Sequence, residues 1–178
     1  MNTVRSVIIM IAALAAFATS AIAQCTASGS PGSCGQPGSV AVTAGRVVRL
    51  QMSAGSTSLT APTTADFDAG FNSTTGPTLT VSANAPWTLQ IRAASALWTA
   101  TNTTTGVAAR VDKPSTDLKW STASAGAFTA LNASDATLIT GSATANNATT
   151  LYFQTLYDWS LDTPGSYSLS IVLTLTAP

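Results

Sequence analysis

The chain contains no histidine and no glutamate, and its only lysines are Lys113 and Lys119. A general base near neutrality is usually a histidine, or a Glu, Asp, Lys or Cys with a shifted pKa. Without histidine, Ser-His-Asp and Cys-His arrangements are excluded, and so are histidine metal sites. The seven acidic residues are all aspartates. A glycosidase would need two of them facing each other across a cleft, and no spacing in the chain suggests such a pair. The expectation is a protein with no catalytic residues and no cofactor.

Charge is equally sparse. Seven basic and seven acidic residues make up only 8% of the 178-residue chain. This provides no electrostatic footprint for nucleic acid or for an anionic membrane. Weak self-repulsion suits close assembly, so the expected partners are further copies of the chain or envelope proteins.

Cysteine is limited to Cys25 and Cys34, within "QCTASGSPGSCGQPGS". In an oxidising compartment an even pair at this spacing reads as a disulfide closing a small loop. The surrounding Gly, Pro and Ser make it a staple for a tail rather than for a core.

Long apolar runs are absent except near the start. "MNTVR" supplies Arg5, "VIIMIAALAAF" is a short apolar run, and "ATSAIA" ends in the small-x-small pattern Ala21-Ile22-Ala23. This is the form of a secretory signal cut between Ala23 and Gln24. The run falls short of the about 20 residues that a membrane-spanning helix needs, so stable membrane insertion after cleavage is not expected. A lipoprotein anchor on Cys25 would need a small residue before it, where Gln24 stands. Removing 23 of the 178 residues leaves 155, with six basic and seven acidic groups and a net charge of −1. That length suits one domain with a real core. The expected organisation is a signal peptide over 1–23, a Gly/Pro/Ser-rich tail over 24–39 and one β domain over 40–178, secreted or held at the cell surface.

Alternating segments dominate the remainder. "RVVRLQMS" places Val48, Leu50 and Met52 on one face. "TLTVSA" does the same with Leu79 and Val81, "PWTLQIR" with Trp87, Leu89 and Ile91, and "DLKWST" with Leu118 and Trp120. "TLYFQTLYDW" aligns Leu151, Phe153, Tyr157 and Trp159. Period-2 patterning with one apolar face predicts antiparallel strands with a core side and a wet side. No segment after the signal shows a sustained helical period, and abundant Thr fits a pleated surface. Many short strands with Gly, Pro and Asn turns predict an all-β fold, a single Ig-like antiparallel β-sandwich, with a closed barrel as the alternative. The last strand, in "DTPGSYSLSIVLTLTAP", aligns Tyr167, Leu169, Ile171, Leu173 and Leu175 against Ser and Thr. Parity this complete predicts a paired core strand rather than a free edge, closed by Pro178, which cannot donate to a ladder.

Two stretches carry a resemblance. "VSANAPWTLQI" is a strand, an Asn/Pro turn and a Trp-led strand, and "DTPGSYSLSIVLTLTA" is a Pro-Gly turn, Tyr167 and a long alternating strand. Over roughly the final hundred residues the chain resembles small exported bacterial β-sandwich proteins of Ig-like, fimbrial-subunit type. The resemblance implies a structural or adhesive role, with strand addition between copies as one mode. The chain departs from the pattern in placing both cysteines before the first strand. The nearest segment to a donor strand is Ser39–Met52, interrupted by Ala44-Gly45.

Four further features compete for a site. In "TADFDAGFN", Asp66, Asp68 and Asn72 are oxygen ligands of the type calcium takes. Gly70 and Pro77 fall where an EF-hand-like loop needs ligands, so Asx-turns that cap backbone N–H groups are the expected role. In "VDKPSTDLKW", Asp112, Lys113 and Asp117 read as an exposed pair around a Pro turn, worth roughly 0–1 kcal/mol. Among the tryptophans, Trp87, Trp120 and Trp159 share apolar faces and are expected in the core. Trp98 and Tyr152 are then the candidates for an exposed aromatic that stacks on a sugar ring, which makes a carbohydrate- or surface-binding module the alternative function. The triplets at Asn72, Asn102, Asn132 and Asn147 match glycan acceptors, a role that a bacterial origin would leave unused.

Overall fold

The computed structural model describes residues 39–178. Cys25, Cys34, Ala23 and Gln24 lie outside the described residues. The chain divides into two units after Thr43. The described part of the first, residues 39–43, carries no strand or helix, and its Val40 and Val42 are almost wholly exposed.

The second unit, Ala44–Pro178, is built of antiparallel strands. In chain order these are β1 (Val48–Met52), a short helix α1 (Thr64–Ala69), β2 (Phe71–Ala83), β3 (Trp87–Ala93), β4 (Thr99–Thr101), a 3-10 turn (Ser115–Asp117) and β5 (Leu118–Ser121). After these come β6 (Thr129–Ala130), β7 (Ala136–Gly141), β8 (Thr144–Leu156), β9 (Ser166–Ser168) and β10 (Ile171–Thr176). One sheet has the order β1-β2-β8-β5-β6, a second β10-β3-β7, and β4 pairs with β9. The fold is all-β.

Alternation places the core as expected in β2, β3, β5 and β8. Leu79, Val81, Leu151 and Phe153 of the five-stranded sheet join Trp87, Leu89, Ile91 and Leu138 of the three-stranded sheet in one buried cluster. Trp87 anchors it, donating from Nε1 to the Ser142 carbonyl at 2.8 Å. Between Thr75 and Thr78 the β2–β8 register shifts at Gly76-Pro77. Pro77 has no N–H for a ladder, and a Cβ on Gly76 would lie 2.5 Å from the Phe153 ring. A bulge is where an interior strand accommodates such a dipeptide.

Four expectations are corrected. Trp159 is 61% exposed and Trp98 only 5%. The β8 strand ends at Leu156, and Asp158 accepts from Ser160 N at 2.7 Å to form a turn, so period-2 parity no longer applies at Trp159. Trp98 is buried by a bridge between Leu97 and Pro114, and its Nε1 donates to the Pro114 carbonyl at 3.0 Å. The "TADFDA" segment is a helical turn, closed by Gly70 at φ 77°, where a residue without Cβ is favoured. Finally, the terminal alternating run splits. Ser166–Ser168 pairs with β4, and Ile171–Thr176 pairs with β3 only, as the edge of its sheet. Its Ile171, Leu173 and Leu175 are half-buried rather than enclosed.

Candidate functional site

Two places in the second unit differ from a plain packed core. The first is the seam between sheets. Strand β1 is one edge of the five-stranded sheet and β10 one edge of the three-stranded sheet, and they run near each other without a joining ladder. Between them opens a cleft of about 800 Å³, lined by Leu50 and Met52 from β1, Ile171 and Leu173 from β10, and Trp98 and Phe153 beneath. Ser56, Thr57, Ser58, Ser168 and Ser170 also line it, so the cleft is mixed, with its apolar part supplied by β1, β10 and the core. The segment 54–59 lines the cleft beside β10, but the strand itself has neither charge nor bulge to protect its edge. Its sequence "IVLTLT" carries no charge or proline, and its register against β3 runs unbroken from Ile171 opposite Ala93 to Thr176 opposite Thr88. Edges of this kind are templates for another strand.

The segment expected as a donor divides at this seam. Residues Val48–Met52 are already paired with β2, Val48 opposite Ala83 and Met52 opposite Leu79. Upstream of them Asn84 clamps the chain. Its N–H donates to the Val47 carbonyl, its Oδ1 accepts from Val47 N at 2.8 Å, and its Nδ2 donates to the Gly45 carbonyl at 2.8 Å. Of Ser39–Met52, residues 39–44 lie before these bonds and carry no strand.

The second place is a cluster of charges around a turn. Lys113 is 2% exposed. Its Nζ donates to Asp162 Oδ1 at 2.8 Å, to the Leu156 carbonyl at 2.9 Å and to Asp117 Oδ2 at 3.3 Å. An ammonium has three donors, and all three are used. Arg110 contacts Asp162 at 3.1 Å, Asp117 at 3.4 Å and Asp112 at 3.2 Å. Burial works against the Arg110 charge, but the hydrogen bond and attraction of Asp162 outweigh it and hold its pKa above the ordinary value. Tyr167 ties the same strands of chain together, its hydroxyl accepting from Arg110 N at 3.0 Å and donating to the Thr163 carbonyl at 2.6 Å. Lys113, expected at the surface, is therefore buried against Asp162 and Asp117, while the Asp112 side chain stays 81% exposed at the edge of the network. Its main acid, Asp162, is 49 residues from Lys113 and left no local signal. With the Lys113 donors satisfied internally, the cluster holds the chain around residues 110–117 against the 156–162 turn.

Beside this cluster lies an aromatic ledge. Phe67 of α1 stacks on Trp159 with ring centroids 4.6 Å apart and a 31° tilt, and on Tyr157 at 5.4 Å. Trp159 Nε1 donates to Asp68 Oδ1 at 3.1 Å. Asp66 Oδ2 accepts from Thr63 N at 2.7 Å, which caps α1 and lowers the Asp66 pKa, with a smaller contribution from Asn72. Asp66 thus caps a backbone N–H through a capping box with Thr63 rather than an Asx-turn, and Asp68 turns to the indole. Among the described residues no three His, Cys, Asp or Glu side chains are placed to hold a metal ion. Lys113 Nζ sits 5.4 Å from the Tyr157 ring centroid, and burial, then the nearby Asp162 and Asp66 charges, raise the Tyr157 pKa above 10.0. Of the expected aromatics, Trp98 is core and Tyr152 is half-buried in β8, opposite Thr75 and Ser121. Tyr152 lies apart, whereas Trp98 lines a cleft beside the ledge. The signal that could have found it is Trp159 in "YDWSLD", where Asp158 and Ser160 favour a turn over a strand.

No protein-family model, no curated protein and no solved structure matches this chain.

Proposed function

We propose that the protein is an exported structural subunit without catalytic activity, an Ig-like β-sandwich that joins copies of itself by strand addition at β10. The observation that carries this reading is the uncharged, unbroken β10 edge beside a partly apolar cleft of about 800 Å³. The donor is the segment 39–44, "SVAVTA", in which Val40 and Val42 alternate with small residues. Six residues of extended chain span roughly 20 Å, the length of the six-residue β10. Two valines one pleat apart match the two-residue spacing of Ile171, Leu173 and Leu175. Main-chain pairing would supply affinity and the valine side chains the register. Export through an N-terminal signal over 1–23 would bring the subunit outside the cell or into the periplasm, where Cys25 and Cys34 could pair. The low net charge lets copies approach.

The test is the size distribution of the exported full chain against a variant carrying Val40→Asp and Val42→Asp. The wild type is expected to form a ladder or filaments, and the variant to collapse to single copies with an unchanged unfolding midpoint. Single copies for both would refute strand addition.

A further inference from the structure

We infer that the ledge formed by Trp159, Phe67 and Asp68 is a binding platform for a neutral saccharide, stacked on the outer face of the Trp159 indole. Trp159 is 61% exposed, and a tryptophan, with an apolar ring and a polar N–H, is a residue type enriched at binding surfaces. It is not a loosely held side chain. Phe67 covers one face at 4.6 Å, and the bond from Nε1 to Asp68 Oδ1 fixes the rotation of the ring. A ring held this way loses little entropy on binding, which is the advantage of a preformed site. Trp159 and Phe67 line a cleft of about 810 Å³ together with Trp98, Tyr157, Thr103, Thr155 and Ser166.

The chemistry of the rim selects the ligand. A pyranose with equatorial hydroxyls presents a flat C–H face to an aromatic ring and a girdle of hydroxyls to acceptors and donors around it. Asp68 is exposed at the ring edge, and a carboxylate is an acceptor with capacity beyond its bond to the indole. The hydroxyls of Thr103 and Ser166 supply further partners. The cations nearby, Lys113 and Arg110, are spent on Asp162, Asp117 and Asp112. An anionic sugar would therefore meet Asp68 and no available positive group, so the ligand is neutral. This site does not depend on β10 and stands or falls separately from the assembly reading.

The experiment titrates the exported full chain with cellohexaose, chitohexaose and an oligogalacturonate, following tryptophan fluorescence and indole N–H resonances. The neutral oligosaccharides are expected to shift the Trp159 resonance. Trp159→Ala should weaken binding by at least about tenfold, the scale of removing an aromatic anchor, and Trp159→Phe by less. Asp68→Asn should weaken binding while keeping the fold, which a thermal melt checks. Three results would overturn the inference. These are no response to either neutral sugar at millimolar concentration, oligogalacturonate binding as tight as theirs, or a Trp159→Ala variant that binds as well as the wild type. A response to tetramethylammonium with none to sugars would overturn it as well, since that would make the ledge a cation site.

Discussion

Replacing Lys113 by Met separates a buried charge network from a surface ion pair. Methionine keeps an unbranched stem of similar length and removes the ammonium. In the wild type Lys113 satisfies Asp162, Asp117 and the Leu156 carbonyl. In the variant Asp162, with a side chain 6% exposed, keeps only Arg110 and the Asp158 N–H, and the Leu156 carbonyl loses this donor. Removing one partner of a buried pair costs about 3–5 kcal/mol. The surviving Arg110 contact puts the loss near the lower end, about 3 kcal/mol, or roughly 10 °C in Tm for a unit of this size. An exposed pair would contribute roughly 0–1 kcal/mol. Urea unfolding followed by tryptophan fluorescence measures the difference, with Lys119→Met on the half-buried face of β5 as the comparison. A Lys113→Met loss under about 1 kcal/mol at unchanged m-value would refute the account of this cluster.

Gly141→Ala should destabilise by roughly 1–3 kcal/mol through overpacking, because a Cβ there would lie 2.6 Å from the buried Trp87 ring; a thermal melt reads it. Asn84→Ala removes the two side-chain bonds that hold Gly45 and Val47, so protease cleavage near residue 46 should accelerate while the rest of the domain resists. Tyr157 has a raised pKa, so its contribution to stability is complete below pH 10 and lost as pH rises through the higher folded value. Of the three tyrosines, Tyr157 should supply the part of the phenolate absorbance change that lies above the ordinary range, and Tyr157→Phe should remove that part alone. Asp66 and Asp158 have lowered pKa values, Asp66 chiefly from the Thr63 N–H and Asp158 chiefly from the Ser160 hydroxyl. What they contribute is present above pH 3.8 and lost as pH falls through their folded values, and Trp159 fluorescence should report the loosening of α1 and the 158–162 turn in that window.

The strands were legible wherever burial on one face forced strict alternation, as at Leu79-Val81, Trp87-Leu89-Ile91 and Leu118-Trp120. Alternation says nothing about where a strand stops, and this misplaced Trp159. Nor can it say whether an apolar face is fully covered, so β10 read as enclosed when it is an edge. The burial of Trp98 depends on a bridge between Leu97 and Pro114, a contact with no periodic signature. The helix α1 had a local signal in Thr63-x-x-Asp66 followed by Gly70, a capping box and a left-handed C-cap. It was too short to show a helical period. The charge cluster and the aromatic ledge both join residues far apart in the chain, Arg110 with Asp162 and Asp68 with Trp159. Only the folded arrangement brings them together.

The central claim is that β10 accepts a strand from another copy. Amide hydrogen exchange across Ile171–Thr176, measured on single copies and on the assembled fraction of the same preparation, tests it most directly. In single copies the alternate β10 amides that face away from β3 should exchange quickly. On assembly they should become as protected as those bonded to β3, and residues 39–44 should gain protection with them. Assembly that leaves both segments exchanging at the single-copy rate would contradict the account.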